Sequence, residues 1–439
     1  MEPGIKVQLL ASMAAGRLVI VCGAGLSMAP PSSLPSAWRV AEKCFDEYQL
    51  TVDPTCDPAL RGNLEAFAEH FVPTNNLKTV FIERLVPWTD FVRLPNAGHA
   101  AIADFLVTRS AFASLSANYD TLIEQHAVSY GFDFRGSLDG DEAVVSNRTQ
   151  GPLLKFHGCS TRDRPSTVWA LSQLNDPTIS ARIEKSKTWI EANLRQKDLL
   201  IIGFWSDWAY LNQLVGSALT NVGPLSVTVV DPSSAEQLQE KAPDLWALAH
   251  AENVAFHHVQ ESGAEVLDEL RRAFSTNYLR QVIAAGKTTF EQSTGEPCDP
   301  DWLKMPDFDS ETLYGLRRDA EGVPWGKPAT KTSPGNCEAL GFFHLLLRQS
   351  GAEQQSDGYV LSGRRVRVIN GAGMVLSTLR SRFIEAPSVQ TADIVVAVGA
   401  TDLGLPDNVV RRGRENDVVR PEVGGTWFDL ASAREELNI

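Results

Sequence analysis

The stretch Leu18-Val19-Ile20-Val21-Cys22-Gly23-Ala24-Gly25-Leu26-Ser27 decides the fold class. An apolar run without polar alternation is the pattern of a strand buried on both faces of a parallel sheet. It stops at Gly-Ala-Gly, where residues lacking a β-carbon permit a tight turn and close approach by another backbone or a ligand. A helix starting there would point free N–H groups at the same spot, a favourable place for a phosphate. A tight strand-to-helix turn with no ligand would read the same way, so the rest of the chain has to decide.

Working outward, further strand-like segments fall at 111–116, 152–156, 166–170, 198–203 and 225–230, with a weaker one at 254–259. Helical patterns lie between them, among them 120–130, 178–196, 207–220, 234–250 and 263–285. Alternation of this kind implies a Rossmann-like, doubly wound parallel sheet with helices on both faces. A helical block at about 36–108 interrupts the alternation and reads as an insertion able to form a cleft wall. The expected organisation is an α/β domain over 1–285, a linker or arm over 286–335, and a smaller C-terminal α/β domain over 336–439. The linker reading rests on Pro297, Pro300, Pro306, Pro324, Pro328 and Pro334.

Within the last domain, a helix is expected at 337–350, strands at 364–369 and 392–399, and a helix at 373–383. Val368-Ile369-Asn370-Gly371-Ala372-Gly373-Met374 repeats the strand-to-glycine shape of the opening motif. The apolar residues from Leu340 to Leu347 are expected to be ordinary core, with an oligomer interface as the alternative.

Charge and cysteine usage exclude several classes. Among 439 residues, 40 Lys and Arg stand against 54 Asp and Glu, a net charge of −14. That balance argues against broad binding of nucleic acid or an anionic membrane, both of which need a basic face. The basic clusters Arg364, Arg365, Arg367 and Arg411, Arg412, Arg414 read as solvated faces. The six cysteines at 22, 44, 56, 159, 298 and 337 include no Cys-x-x-Cys pair, so no zinc is expected. The chain carries no apolar run of about 18 residues and no charged-then-apolar start, so a cytoplasmic protein is expected.

Three further segments bear on chemistry. Ser114-Leu115-Ser116-Ala117-Asn118-Tyr119-Asp120 runs a strand directly into Asn118 and Asp120. Leu153-Leu154-Lys155-Phe156-His157-Gly158 ends another at His157, and 199–207 ends a third at Gly203, followed by Ser206 and Asp207. In a doubly wound sheet, ligands sit at the carboxyl ends of strands. Helix capping, turns and a structural histidine would account for each segment taken singly.

Taken in order, Gly-Ala-Gly-x-Ser, Asn-x-Asp, His-Gly and Gly-x-x-Ser resemble the catalytic core of the sirtuins over about residues 15–275. The resemblance implies that Gly23, Ala24, Gly25 and Ser27 hold the pyrophosphate of NAD, with Asn118 and Asp120 beside the nicotinamide ribose. It implies that His157 is the catalytic base, and that Gly203, Ser206 and Asp231 contact the adenosine side. Protein-deacylating sirtuins carry Gly-x-Pro-Asp-Phe-Arg after the first motif and two zinc-binding cysteine pairs. Here Met28–Trp38 is a Pro/Ser-rich segment instead, and the cysteine pairs are missing.

That departure is similar to the sirtuin-like effectors of bacterial anti-phage systems. It implies an NAD hydrolase used in abortive infection, a homo-oligomer, and a partner such as a HerA-type ATPase or a short Argonaute. NAD-dependent deacylation, ADP-ribosyl transfer, and a non-catalytic NAD or ADP-ribose sensor are the alternatives.

Overall fold

The structure is a computed structural model that describes residues 1–205, 216, 220–323, 332–383, 391–401 and 425–439. It divides into two compact units, Met1–Leu270 and Arg271–Ile439.

The first unit is built on six strands: β1 (Leu18–Cys22), β2 (Ala113–Ser116), β3 (Leu153–Leu154), β4 (Asp198–Ile202), β5 (Ser226–Val230) and β6 (Ala255–Val259). They form one sheet in the order β3-β2-β1-β4-β5-β6, every pairing parallel. All five residues of central β1 are buried, which is why its sequence shows no alternation. The chain leaves β1 towards β2 and β3, then returns to the opposite side for β4. This reversal opens a crevice at the carboxyl ends of β1 and β4, the usual ligand position in such sheets.

What brings those two ends together is glycine. Gly23 N–H donates to Ile202 O (3.1 Å) and Gly25 N–H to Gly203 O (3.0 Å). A β-carbon on Gly23 would lie 2.7 Å from Gly203 O, and one on Gly25 would lie 2.7 Å from Gly203 Cα. Gly203 itself has φ +56°, and a β-carbon there would meet Leu26 N at 2.5 Å. All three positions exclude a side chain because backbone meets backbone.

The block between β1 and β2 is helical, including Ala37–Thr51, Leu64–Glu69 and Ala97–Val107. Phe45, Phe67, Phe71, Phe81, Trp88 and Phe91 give it an aromatic core that also takes in Tyr119 and Trp169. One strand expectation is corrected. Residues 166–170 form no strand: after a short turn at Arg164–Ser166, the chain hooks past the cleft. Val168 N–H donates to His157 O (3.0 Å), while the Trp169 and Ala170 N–H groups donate to Gln173 Oε1 (2.7 and 2.9 Å). Val168, Trp169 and Ala170 are apolar because they are buried as a loop, and periodicity does not separate that case from a strand. The expected helix at 207–220 lies almost wholly outside the described residues.

The second unit has strands β7 (Glu353–Gln355), β8 (Gly358–Leu361), β9 (Arg364–Asn370), β10 (Ile394–Val398) and β11 (Thr426–Asp429). Their order is β11-β10-β9-β8-β7, parallel from β9 to β11 and antiparallel across β7, β8 and β9. Leu340, Phe343, Leu345, Leu346 and Leu347 of the helix Pro334–Gln349 are buried in this unit's own core. Much of the stretch expected as a linker is helical, with Lys287–Thr294 and Ser310–Ala320 burying Phe290, Leu313 and Tyr314. Pro300 opens a single turn after Asp299, whose side chain accepts from Asp301 N–H, while Pro324 and Pro328 lie outside the described residues.

Of the two basic clusters, Arg364 pairs with Glu436 (2.7 Å), and buried Arg367 pairs with Asp319 (2.5 Å). The Arg411–Arg414 cluster lies outside the described residues.

Replacing Gly203 with alanine should cost about 2–4 kcal/mol, combining left-handed strain with a backbone clash. The measurement is the urea midpoint of the full chain, with a surface Gly→Ala change at Gly4, which has open space around it, as the reference.

Candidate active site

The crevice at the strand ends is a cleft of about 750 Å³, counting its open mouth. Gly23, Ala24 and Ser27 enter it after β1, Asn118 and Asp120 after β2, His157 after β3, and Gly203 after β4. The helical block supplies an apolar wall of Leu34, Val40, Leu64 and Phe91.

The polar floor is a closed hydrogen-bond network centred on Ser27, a buried residue of the short helix Ala24–Met28. Ser27 Oγ donates to Asp120 Oδ2 (2.8 Å) and accepts from Asn118 Nδ2 (3.1 Å). His99 Nε2 lies 3.1 Å from the same hydroxyl. Its other ring nitrogen, Nδ1, accepts from Asn96 N–H (3.1 Å), so a neutral His99 carries its proton on Nε2 and donates it to Ser27. Burial pushes the His99 pKa down to about 4, which keeps the ring neutral. Every bonding direction of the serine hydroxyl is thereby used.

Asn118 spends its second amide proton on Gly23 O (3.1 Å). Both donors are committed, so its Oδ1 is the atom left to accept from an incoming hydroxyl or water. Asp120 is held at three points. Leu122 N–H donates to Oδ1 (3.2 Å), Ser27 donates to Oδ2, and the Lys155 ammonium donates to its main-chain oxygen. Lys155 is itself buried beside Glu124 (Nζ to Oε1, 3.2 Å) and Cys159 (Nζ to Sγ, 3.6 Å). Burial opposes its charge, but Glu124, Cys159 and Asp120 together raise its pKa.

His157 is buried with its ring parallel to that of Tyr119. Burial, reinforced by the charge of Arg182, pushes its pKa down to about 3 against a hydrogen bond to the Ala117 backbone. The histidine is therefore neutral throughout the physiological range, but it is a weaker base than the ordinary value of about 6.5 implied.

Several expected positions are altered. Gly25 lies behind the turn, and the Gly23, Gly25 and Leu26 N–H groups already donate to Ile202 O, Gly203 O and Gly23 O. Those three amides are spent on the backbone and are not free for a phosphate. Asp231, at the end of β5, does not line the cleft; its Oδ1 accepts from Ser233 N–H (2.8 Å). Ser206 lies outside the described residues. No group of three or more His, Cys, Asp or Glu able to hold a metal ion occurs among the described residues. No helix among them is long and apolar enough to cross a membrane.

Sequence reading missed Asn96, His99, Lys155 and Trp169. The first two left a usable signal. Asn96 caps the helix Ala97–Val107 and His99 occupies its third position, a reciprocal cap with histidine in the place of Glu or Gln.

No family model matches the chain, and no curated protein matches it. Among solved structures, the chain is similar to a Sir2 homolog–NAD complex at 16% identity, over 61% of this chain and 93% of that one (TM-score 0.36). A Sir2 homologue mutant with ADP-ribose aligns at 17% identity over 62% and 96% (TM-score 0.36). A sirtuin structure addressing substrate affinity aligns at 12% over 62% and 98% (TM-score 0.32).

Ser27→Ala leaves the partner groups of Asp120, Asn118 and His99 unsatisfied and should cost about 1–3 kcal/mol in denaturant unfolding. The histidines also predict a pH response. Their folded pKa values of about 4 and about 3 lie below the unfolded value, so acid favours the unfolded chain, which binds the extra protons. Stability should fall as pH drops below about 6.5, by about 2 kcal/mol per histidine at pH 5, and His99→Gln should remove one share of that slope.

Proposed function

We propose that the protein is an NAD glycohydrolase, splitting the nicotinamide–ribose bond with water to give nicotinamide and ADP-ribose. The observation that carries this reading is the meeting of Asn118, Asp120 and a neutral His157 in one cleft between an apolar wall and a glycine turn. The order of the four strand-end motifs, which resembles the sirtuin core, supports NAD as the ligand.

In this reaction the bonding pair of the glycosidic bond passes to the pyridinium nitrogen, which leaves as neutral nicotinamide. The water oxygen bonds to the anomeric carbon and its proton passes to His157. Asn118 Oδ1 orients the water or a ribose hydroxyl without adding charge. The carboxylate of Asp120 offsets the positive charge that develops on the ribose. Leu34, Val40 and Phe91 exclude bulk water, which strengthens both effects.

The proposal extends to the setting: an anti-phage effector whose NAD destruction is gated by self-assembly, a small ligand or a partner, such as a HerA-type ATPase or a short Argonaute. Unrestrained loss of NAD would kill the host, and the 271–439 unit is the candidate for that control. The apolar wall favours a second reading, since it would also take an acyl chain in NAD-dependent deacylation of lysine.

The test is incubation of the full chain with NAD, alone and with an acyl-lysine peptide, followed by chromatography. Nicotinamide and ADP-ribose should form without the peptide, and Asn118→Ala and His157→Ala should each lower the rate about 10²-fold or more. O-acyl-ADP-ribose formed only with the peptide would favour deacylation. Release unchanged in both variants would overturn the assignment of the site.

A further inference from the structure

Tyr119 stands between Asn118 and Asp120 in sequence but takes no part in the polar floor. Its ring stacks with two others. The His157 ring lies parallel to it, with centroids 5.6 Å apart and planes 10° apart. Trp169 lies parallel to Tyr119 as well, at 4.3 Å and 15°.

The stack is reinforced by hydrogen bonds to the loop that carries the histidine. Tyr119 OH donates to Val168 O, and Val168 N–H donates back to His157 O (3.0 Å). The main-chain oxygen of Tyr119 accepts from Ser160 N–H (2.8 Å). One residue therefore ties the loop after β3 to the end of β2 through its ring, its hydroxyl and its backbone.

Trp169 gives the stack a rigid backing. Its indole N–H donates to Thr167 Oγ1 (2.7 Å), and its faces and edges meet Phe81 and Trp88 at near-perpendicular angles of 75° and 80°. A tyrosine held by such a wall and lying parallel to an imidazole leaves the imidazole little freedom to rotate. It also removes water from one face of that ring.

We infer that Tyr119 is the positioning residue for His157, fixing the plane of the imidazole and covering one of its faces, with Trp169 stacked on the tyrosine in turn. The inference rests on the reading of His157 as the base. Its expected consequence is that one ring nitrogen stays on the Ala117 backbone while the other is presented to the cleft. Burial by the same stack is consistent with the depressed pKa of His157.

The test compares Tyr119→Phe, which keeps the ring, with Tyr119→Leu, which removes it. Tyr119→Met is the second variant should the leucine protein fail to fold, because its flexible side chain refills the volume. In the full chain, ¹⁵N-edited spectra should show His157 as one neutral tautomer between about pH 8 and pH 5, in the wild type and in Tyr119→Phe. The signal is assigned by its loss in His157→Gln. Tyr119→Leu or Tyr119→Met should show a tautomer mixture and a titration midpoint raised by about one unit or more. For NAD turnover, these variants should lose about 10- to 100-fold in kcat at unchanged KM, with Tyr119→Phe restoring it.

A tautomer and midpoint unchanged in both non-aromatic variants would overturn the inference. The spectra need no substrate, so absence of NAD turnover would count against the proposed function and leave this result to stand or fall on its own.

Discussion

The backbone contact among Gly23, Gly25 and Gly203 is the constraint on which the site depends. Strand ends in a parallel sheet ordinarily splay apart with their twist. Here the turn after β1 is hydrogen-bonded directly to the end of β4, and side chains at any of the three positions would push the two apart. The contact sets how far the short helix Ala24–Met28 stands from β2. It thereby allows Ser27 to reach Asp120 and Asn118 at ordinary hydrogen-bond lengths. The glycines are thus first a structural necessity, and whatever they offer a ligand comes after that.

The second unit contains the same backbone arrangement. Gly371 N–H donates to Val398 O (2.6 Å) and Gly373 N–H to Gly399 O (3.0 Å), with Gly399 at φ +75°. Partner for partner, Gly371, Gly373, Val398 and Gly399 match Gly23, Gly25, Ile202 and Gly203. Two parallel neighbouring strands that end level with each other are joined by the same pair of hydrogen bonds in both units, although Gly373, unlike Gly25, has open space around it. The surroundings differ, because Asn370 at the end of β9 is buried and donates to Ala320 O (3.1 Å).

Around the first glycine contact, the polar groups form a graded set. His99 and His157 are kept neutral by burial, while Lys155 keeps its charge because Glu124 and the main chain of Asp120 surround it. The network is satisfied through hydrogen bonds without placing a second positive charge against Asp120. The aromatic stack at His157 acts in the same direction, as it sets rings in place of water against the imidazole.

The sequence alone determined the doubly wound sheet, the helical insertion and the strand-end positions of Asn118, Asp120, His157 and Gly203. These depend on periodicity and on residues whose backbone demands are local. It misassigned 166–170, because an apolar buried loop and an apolar strand have the same composition. It also read as a linker a stretch that contains the helices Lys287–Thr294 and Ser310–Ala320. Only the tertiary structure decided that Ser27 is shared by His99, Asn118 and Asp120, and that the amides of the glycine turn are spent on β4. It alone moved Asp231 out of the cleft and stacked Tyr119 with both His157 and Trp169. Ser27 and His99 are 72 residues apart, and Lys155 and Asp120 are 35 apart. Pairings of that range follow from how the sheet brings strand ends together, and no local pattern encodes them.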